Sequence, residues 1–210
     1  MLDGQCEQKR QRILNRAALA FLAEGYEGAN LEDIAIAAGI SKVTIYRHFD
    51  DKMHLFETVI TESARNLGAV LADLLPLDQP VELALERFAR VFIERMISPV
   101  GAGYPFYQLA RVLVGATVRR PHISQSCKWI FADLIGAPLA GYFRSKIESG
   151  EIAGDDPDFL AHHFVQTLFF TNAVAMDPSL LPDPREIADI ASRKVRLFLH
   201  GAAANGTRQD

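Results

Sequence analysis

The chain has 210 residues, 22 Lys+Arg against 26 Asp+Glu for a formal charge of −4, and 49% hydrophobic side chains. That length suits one medium domain or two small ones with a core of their own, and a 23% charged fraction argues against wholesale disorder. The net acidity excludes a protein that coats nucleic acid or an anionic membrane by bulk charge. It leaves room for a small basic face on an acidic body.

The two cysteines, Cys6 and Cys127, lie far apart and outside any Cys-x-x-Cys pattern, so neither a disulfide framework nor a zinc knuckle is expected. No apolar signal core opens the chain, which passes from Met1-Leu2 into Asp3, Glu7, Lys9, Arg10 and Arg12. No run of about 18 apolar residues offers a membrane span. The expectation is a cytoplasmic protein without membrane contact.

Apolar spacing is helical almost throughout and predicts about nine helices, broken by Gly and Pro. The first runs from about Glu7 to Glu24, with Ile13, Ala17, Ala20 and Phe21 on one stripe, and ends at Gly25. The second starts after Asn30, a cap residue followed three positions later by Asp33 in a capping-box-like arrangement, and stops at Gly39. A third covers about Ser41 to His48 with Ser41 as N-cap. A fourth follows Asp50-Asp51 and continues to about Leu75. Further segments fall near Val81–Ile97, Tyr104–Val118, Pro121–Ser149, Pro157–Ala175 and Pro184–Gly201. Pro121, Pro157 and Pro184 suit first-turn positions, and Gly136 with Pro138 predicts a kink or break inside the 121–149 segment. Residues 204–210 read as a frayed tail.

The segment from Leu31 to Phe49 carries the chemistry. Two short helices joined at Ala38-Gly39-Ile40 fit a helix-turn-helix. Ala35 is small where the helices cross, and Gly39 supplies the positive φ of a sharp turn. Ile34, Ile40 and Ile45 are expected to hold the pair together. That leaves Lys42, Val43, Thr44, Tyr46, Arg47 and His48 for groove edges and phosphates. A plain αα-corner is the bland alternative, and the polar face weighs against it.

Residues 8–56 resemble the N-terminal domain of the TetR/AcrR family of transcriptional regulators. The resemblance rests on Ile13-Leu14, Phe21, Gly25-Tyr26, Ile34-Ala35, Ala38-Gly39, Thr44 to Phe49, Lys52 and Leu55, about a quarter of the chain. Asn30 stands where the family often has Thr or Ser, and all three can cap. The resemblance implies that the third helix enters the major groove of double-stranded palindromic operator DNA. A homodimer would place two such helices about 34–36 Å apart or at wider spacing. Carried over by position, Lys42, Val43 and Thr44 lie nearest the bases, with Val43 suited to a thymine methyl and Lys42 to guanine acceptors, and Ser41 before them belongs to the same DNA-binding set. Tyr46, His48 and Lys52 match phosphate contacts, Arg47 suits either role, and Asn30 can reach a phosphate at the start of the second helix. The weaker alternatives are that Tyr46 packs its ring on the first helix, that His48 is an exposed cap residue, and that Lys52 is a solvated charge, with Asp50 and Asp51 as caps of the fourth helix. Four bases, Lys9, Arg10, Arg12 and Arg16, stand between Gln8 and Ala23 with no acid among them. Residues 1–60 as a whole carry 9 acids against 7 bases, so binding depends on which face the charges occupy.

Residues 1–55 therefore read as a three-helix, helix-turn-helix DNA-binding domain and residues 56–203 as an all-α ligand-binding and dimerisation bundle. The helices from Pro157 and from Pro184 are apolar on more than one face. They are expected to pair two copies as a four-helix bundle through Phe159, Val165, Phe169, Ile190 and Leu197, or else to be central helices of one core. Phe92, Phe106, Tyr107, Arg111, Trp129, Gln166 and Phe170 are candidates to line a cavity for a small-molecule effector. Arg111, among Leu109, Val112, Leu113 and Val114, either holds an acidic ligand group or pairs with an internal carboxylate.

No Gly-rich phosphate loop, His-Glu-x-x-His, Glu-x-x-His or Gly-x-Ser-x-Gly occurs, and His122 with Cys127 or His162-His163 makes no complete metal set. No catalytic site, cofactor or metal is expected. The function expected is a ligand-responsive, sequence-specific regulator, most simply a repressor. The rival is a helical small-molecule-binding or catalytic protein whose N-terminal domain is only structural.

Overall fold

The computed structural model describes residues 2–97, 104–120, 135–173 and 183–201, and among these every regular element is a helix. In chain order they are α1 (Leu2–Gly28), α2 (Leu31–Ala38), α3 (Lys42–His48), α4 (Lys52–Ala72), α5 (Val81–Ile97), α6 (Phe106–Arg119), α7 (Ala137–Glu148), α8 (Pro157–Ala173) and α9 (Pro184–His200). The expected helical order holds, with shifted ends. α1 starts before Glu7 and passes through a non-helical Gly25 (φ 71°, ψ 175°), and α4 stops short of Leu75. α7 begins at Ala137 with Pro138 in its first turn, and Gly136 before it is right-handed helical; the part of the expected 121–149 segment from 121 to 134 lies outside the described residues. Trp129, Cys127 and the tail 204–210 lie outside the described residues, as do the side chains of Phe169 and Phe170.

Two compact units divide the chain. The first holds the described residues up to Leu67 together with 104–120, and the second runs from Gly68 to Ile97 and resumes at Ile135. α4 contributes to both, and α6 belongs with the head.

In the first unit α1 packs on α2 and α6, and α2 on α3. Ile13, Leu14, Ala17, Ala18 and Phe21 of α1 are buried, as the stripe requires, with Ile34, Ala35 and Ala38 of α2 and Ile45 of α3. Phe21 meets the Phe56 ring edge-on at 4.9 Å, and Tyr26 lies 5.0 Å from Phe56. Each fully buried Phe contributes on the order of 1.5–3 kcal/mol. Ile40 is only half-buried, because it follows the turn as the second residue past α2. There its amide, not its side chain, closes the helix by donating to Ala35 O at 3.0 Å.

The second unit packs α5 against α9 and α8, and α7 against α8. Ala84, Leu85, Phe88, Ala89, Phe92, Ile93 and Met96 repeat at three- and four-residue intervals and bury one face of α5. Phe164 of α8 lies 4.8 Å from Phe198 and 6.1 Å from Phe88. Lys146 is the one buried charged residue among the described residues, 3% exposed. Its Nζ donates to Leu77 O (2.9 Å), Gln79 O (3.3 Å) and both carboxylate oxygens of Glu151 (2.9 Å each). A buried ammonium so surrounded ties α7 to the turn before α5 and meets the requirement that buried charge be paired.

Candidate nucleic-acid interface

Local sequence builds the head's polar face in three steps. Asn30 caps α2, its Oδ1 accepting from the Glu32 amide at 2.9 Å. The capping-box-like role expected of Asp33 is not formed, because Asn30 serves Glu32 and not the third amide. Gly39 then reverses the chain in the left-handed region (φ 65°, ψ 40°), its amide reaching Ile36 O at 3.0 Å. Ser41 caps α3 through a bond from the Thr44 amide at 3.2 Å, and its hydroxyl lies 2.9 Å from Thr44 Oγ1. Asp51 caps α4, accepting from the His54 amide at 2.7 Å.

α3 is too short to bury a stripe, so two anchors orient it: Ile45 is fully buried, and Phe49 at its end nearly so. That phase turns Lys42, Val43, Tyr46 and Arg47 to solvent, with Val43 at 64% and Tyr46 at 50% exposure. Thr44 and His48 are half-buried beside them. Arg47 and His48 stand in the last turn, where the helix dipole favours cations. The structure thus brings Ser41 through His48 onto one short helix, with Asn30 exposed at the start of the neighbouring one.

Several charges are already engaged. Lys42 Nζ lies 3.6 Å from Glu32 Oε2. Lys52 Nζ donates to Glu27 O and Ala29 O, both at 3.1 Å, and sits 4.8 Å from the Tyr26 ring centre. Of the four bases on α1, Arg10 pairs with Glu62 (3.3 Å) and Glu7 (3.5 Å), and Arg12 donates to Ala38 O at 3.0 Å. Arg12 thereby clamps the end of α2, and Lys9 and Arg16 are the exposed remainder with no ion pair among the described residues.

A second cluster of the same unit joins α6 to the end of α1. Arg120 Nε is 2.9 Å from Glu27 Oε1, Nη2 is 3.4 Å from Oε2, and the guanidinium carbon sits 5.3 Å from the Tyr26 ring centre. The hydrogen bond from Arg120 holds the Glu27 carboxyl below the usual carboxylate range. Burial pushes the Tyr26 phenol up, partly opposed by the nearby Arg120 charge. Sequence reading missed this cluster, since Glu27 and Arg120 are far apart in the chain and neither belongs to a motif.

The other candidate residues are placed as follows. Phe92 is buried in the second unit, and Phe106 and Tyr107 are buried in the first. Arg111 is exposed and has no carboxylate within ion-pair reach among the described residues, because the buried face of α6 is formed by Leu109, Ala110, Leu113 and Ala116. Gln166 is exposed and bonds to His162 at 2.8 Å. On α8 and α9, Phe159 and Leu197 are 62% and 56% exposed, Ile190 is half-buried, and Val165 is buried within its own chain. Among the described residues no group of three or more metal-ligating side chains converges, and no helix is long and apolar enough to cross a membrane.

Residues 13–59 match the family model described as "Bacterial regulatory proteins, tetR family", and residues 83–201 match "AefR-like transcriptional repressor, C-terminal domain". The regulator SrpR of Pseudomonas putida is 29% identical over 97 residues, 46% of this chain and 42% of that protein. The repressor AcnR of Corynebacterium diphtheriae is 35% identical over 71 residues, 34% of this chain and 37% of that protein. The chain thus spans less than half the length of these curated relatives. Among solved structures, a Mesorhizobium loti MAFF303099 protein assigned to the TetR-family regulators superposes with a TM-score of 0.80 at 26% identity, over 92% of this chain and 96% of that one. A TetR-family transcriptional regulator from Pseudomonas syringae pv. tomato DC3000 gives 0.70 at 25% identity, over 91% and 95%.

Proposed function

The chain belongs to the TetR family of bacterial regulatory proteins, and on that premise we propose that it is a homodimeric, sequence-specific repressor released from a palindromic operator by a small-molecule effector. The observation that carries the reading is α3: two buried anchors, Ile45 and Phe49, and a solvent face of Lys42, Val43, Tyr46 and Arg47. Residues 1–55 bind DNA, and residues 56–203 bind the effector and pair the subunits. Exposed apolar Phe159 and Leu197 support α8 and α9 as the seam, since a side chain of that size left in water gains by pairing. Lys42, Val43 and Thr44 read base edges, with Ser41 holding Thr44. Asn30, Tyr46, Arg47 and His48 contact phosphates, and Lys52 joins them while closing the end of α1. Such a protein works in the cytoplasm, where its DNA is.

Release is a population shift. An effector that binds one separation of the two heads better than the other moves the equilibrium only by that difference in affinity, and the operator pays the reciprocal factor. Phe92, Phe106, Tyr107, Arg111, Trp129, Gln166 and Phe170 are the residues to test for effector contact. The decisive experiment is fluorescence polarisation of the protein on duplexes from its own upstream DNA against scrambled duplexes, across a salt series. The reading expects a preferred palindromic fragment and an affinity falling steeply with salt. Equal binding to both at moderate salt refutes it.

A further inference from the structure

We infer that Glu32 is a specificity-determining residue of the DNA interface, acting through Lys42; the inference rests on the reading of α3 as the DNA-contacting helix. Glu32 is the second residue of α2 and Lys42 the first of α3, and the turn at Gly39 brings their side chains to 3.6 Å while both stay largely exposed, at 65% and 46%. The Glu32 backbone is fixed by the Asn30 cap, and the positive end of the α2 dipole favours its carboxylate. Lys42 has the opposite problem. It is a cation at the start of a helix whose first turn contains no acid, where the dipole disfavours it. Glu32 supplies the counter-charge that α3 lacks.

The consequence for recognition follows from chemistry. An unrestrained lysine on a long flexible stem pairs with any phosphate, and phosphate contacts carry no sequence information. A carboxylate beside Nζ holds the ammonium over the start of α3. It is itself repelled by phosphates and by the guanine O6 and N7 acceptors that Lys42 seeks, and it can accept from the N4 amino group of cytosine. Donor and acceptor side by side therefore fit a guanine acceptor next to a cytosine amino group and penalise base steps that offer acceptors at both places. The surroundings sharpen this effect: residues 1–60 carry 9 acids and 7 bases, so indiscriminate attraction to DNA is weak from the start.

The test selects bound duplexes from a random library with wild type, E32A, E32Q, K42A and E32A/K42A, then measures polarisation on the selected and scrambled duplexes. Thermal melting confirms that each variant is folded. E32A is expected to bind scrambled duplex several-fold tighter and to lose about tenfold in discrimination at the base pair that K42A also blurs. The double variant is expected to lose no more there than K42A alone, the mark of two residues acting as a unit. E32Q, which keeps an acceptor oxygen without the charge, is expected to fall between. If E32A strengthens selected and scrambled binding by the same factor, or selects the wild-type motif unchanged, Glu32 is a repulsive charge only and the inference is wrong. If wild type itself enriches no motif, the reading of α3 fails and this one with it.

Discussion

Replacing Gly25 and Gly39 in turn by alanine and by asparagine separates two backbone demands within one small head. A Cβ added at either site meets nothing within 4 Å, so packing drops out and only backbone energy remains. Gly39 sits at φ 65°, ψ 40°, a left-handed conformation that costs an ordinary L-residue about 1–2 kcal/mol and asparagine less. Gly25 sits at φ 71°, ψ 175°, a region essentially closed to every side chain, where the cost is about 1–3 kcal/mol. Alanine returns about 0.4–1 kcal/mol by restricting the unfolded chain, leaving, at the centres of these ranges, G39A about 0.8 kcal/mol down and G25A about 1.3 kcal/mol down. For a chain of this size each kcal/mol lowers the melting temperature by about 2–4 °C. Thermal melts followed by circular dichroism are expected to show G39N recovering most of the G39A loss, and G25N recovering none of the G25A loss. Recovery at both positions, or wild-type melting of both alanine variants, refutes the reasoning.

K146M keeps the apolar stem but removes the donor shared by Leu77 O, Gln79 O and Glu151, at a cost of about 2 kcal/mol in urea titration, held to that because Glu151 is 44% exposed. The hydrogen bond from Lys146 lowers the Glu151 pKa below its ordinary carboxylate value, with help from Ser149. Its stabilisation is therefore present above that value and lost as pH falls through the lowered one, so the wild type is expected to lose stability in acid faster than K146M. R120Q is expected to return the Glu27 carboxyl upward toward its ordinary titration range by carboxyl NMR, because the Arg120 hydrogen bond is the largest cause of its depression. N30A removes the α2 cap at a cost of about 1 kcal/mol, and N30S restores it. L197E is expected to give monomers by sedimentation, and an unaltered dimer refutes the proposed seam.

Local signals were legible in the residues themselves. Ser41 and Asp51 cap the helices their positions indicated, Gly39 turns the chain, and Ile45 and Phe49 face inward because apolar spacing sets a helix's phase. Asp183 with Pro184 and Glu186 forms a full capping box at the start of α9. Its residues stood in plain view in the sequence, yet the reading used only the proline.

What the tertiary structure decided is which partner each charge and each apolar face received. Four bases on α1 look alike in sequence, but Arg10 is held by Glu62 and Arg12 by the end of α2. Arg111 looked interior among its apolar neighbours and is exposed. Lys146, which no motif marks, is buried in a ring of acceptors. Along one helix, spacing alone dictates which side chains share a face, because the backbone repeat is the same everywhere. Whether that face meets water, a carboxylate or another helix depends on residues tens of positions away brought within a few ångströms, as Glu27 is to Arg120 and Glu32 to Lys42. No repeat in the chain encodes that proximity; only the packed fold supplies it.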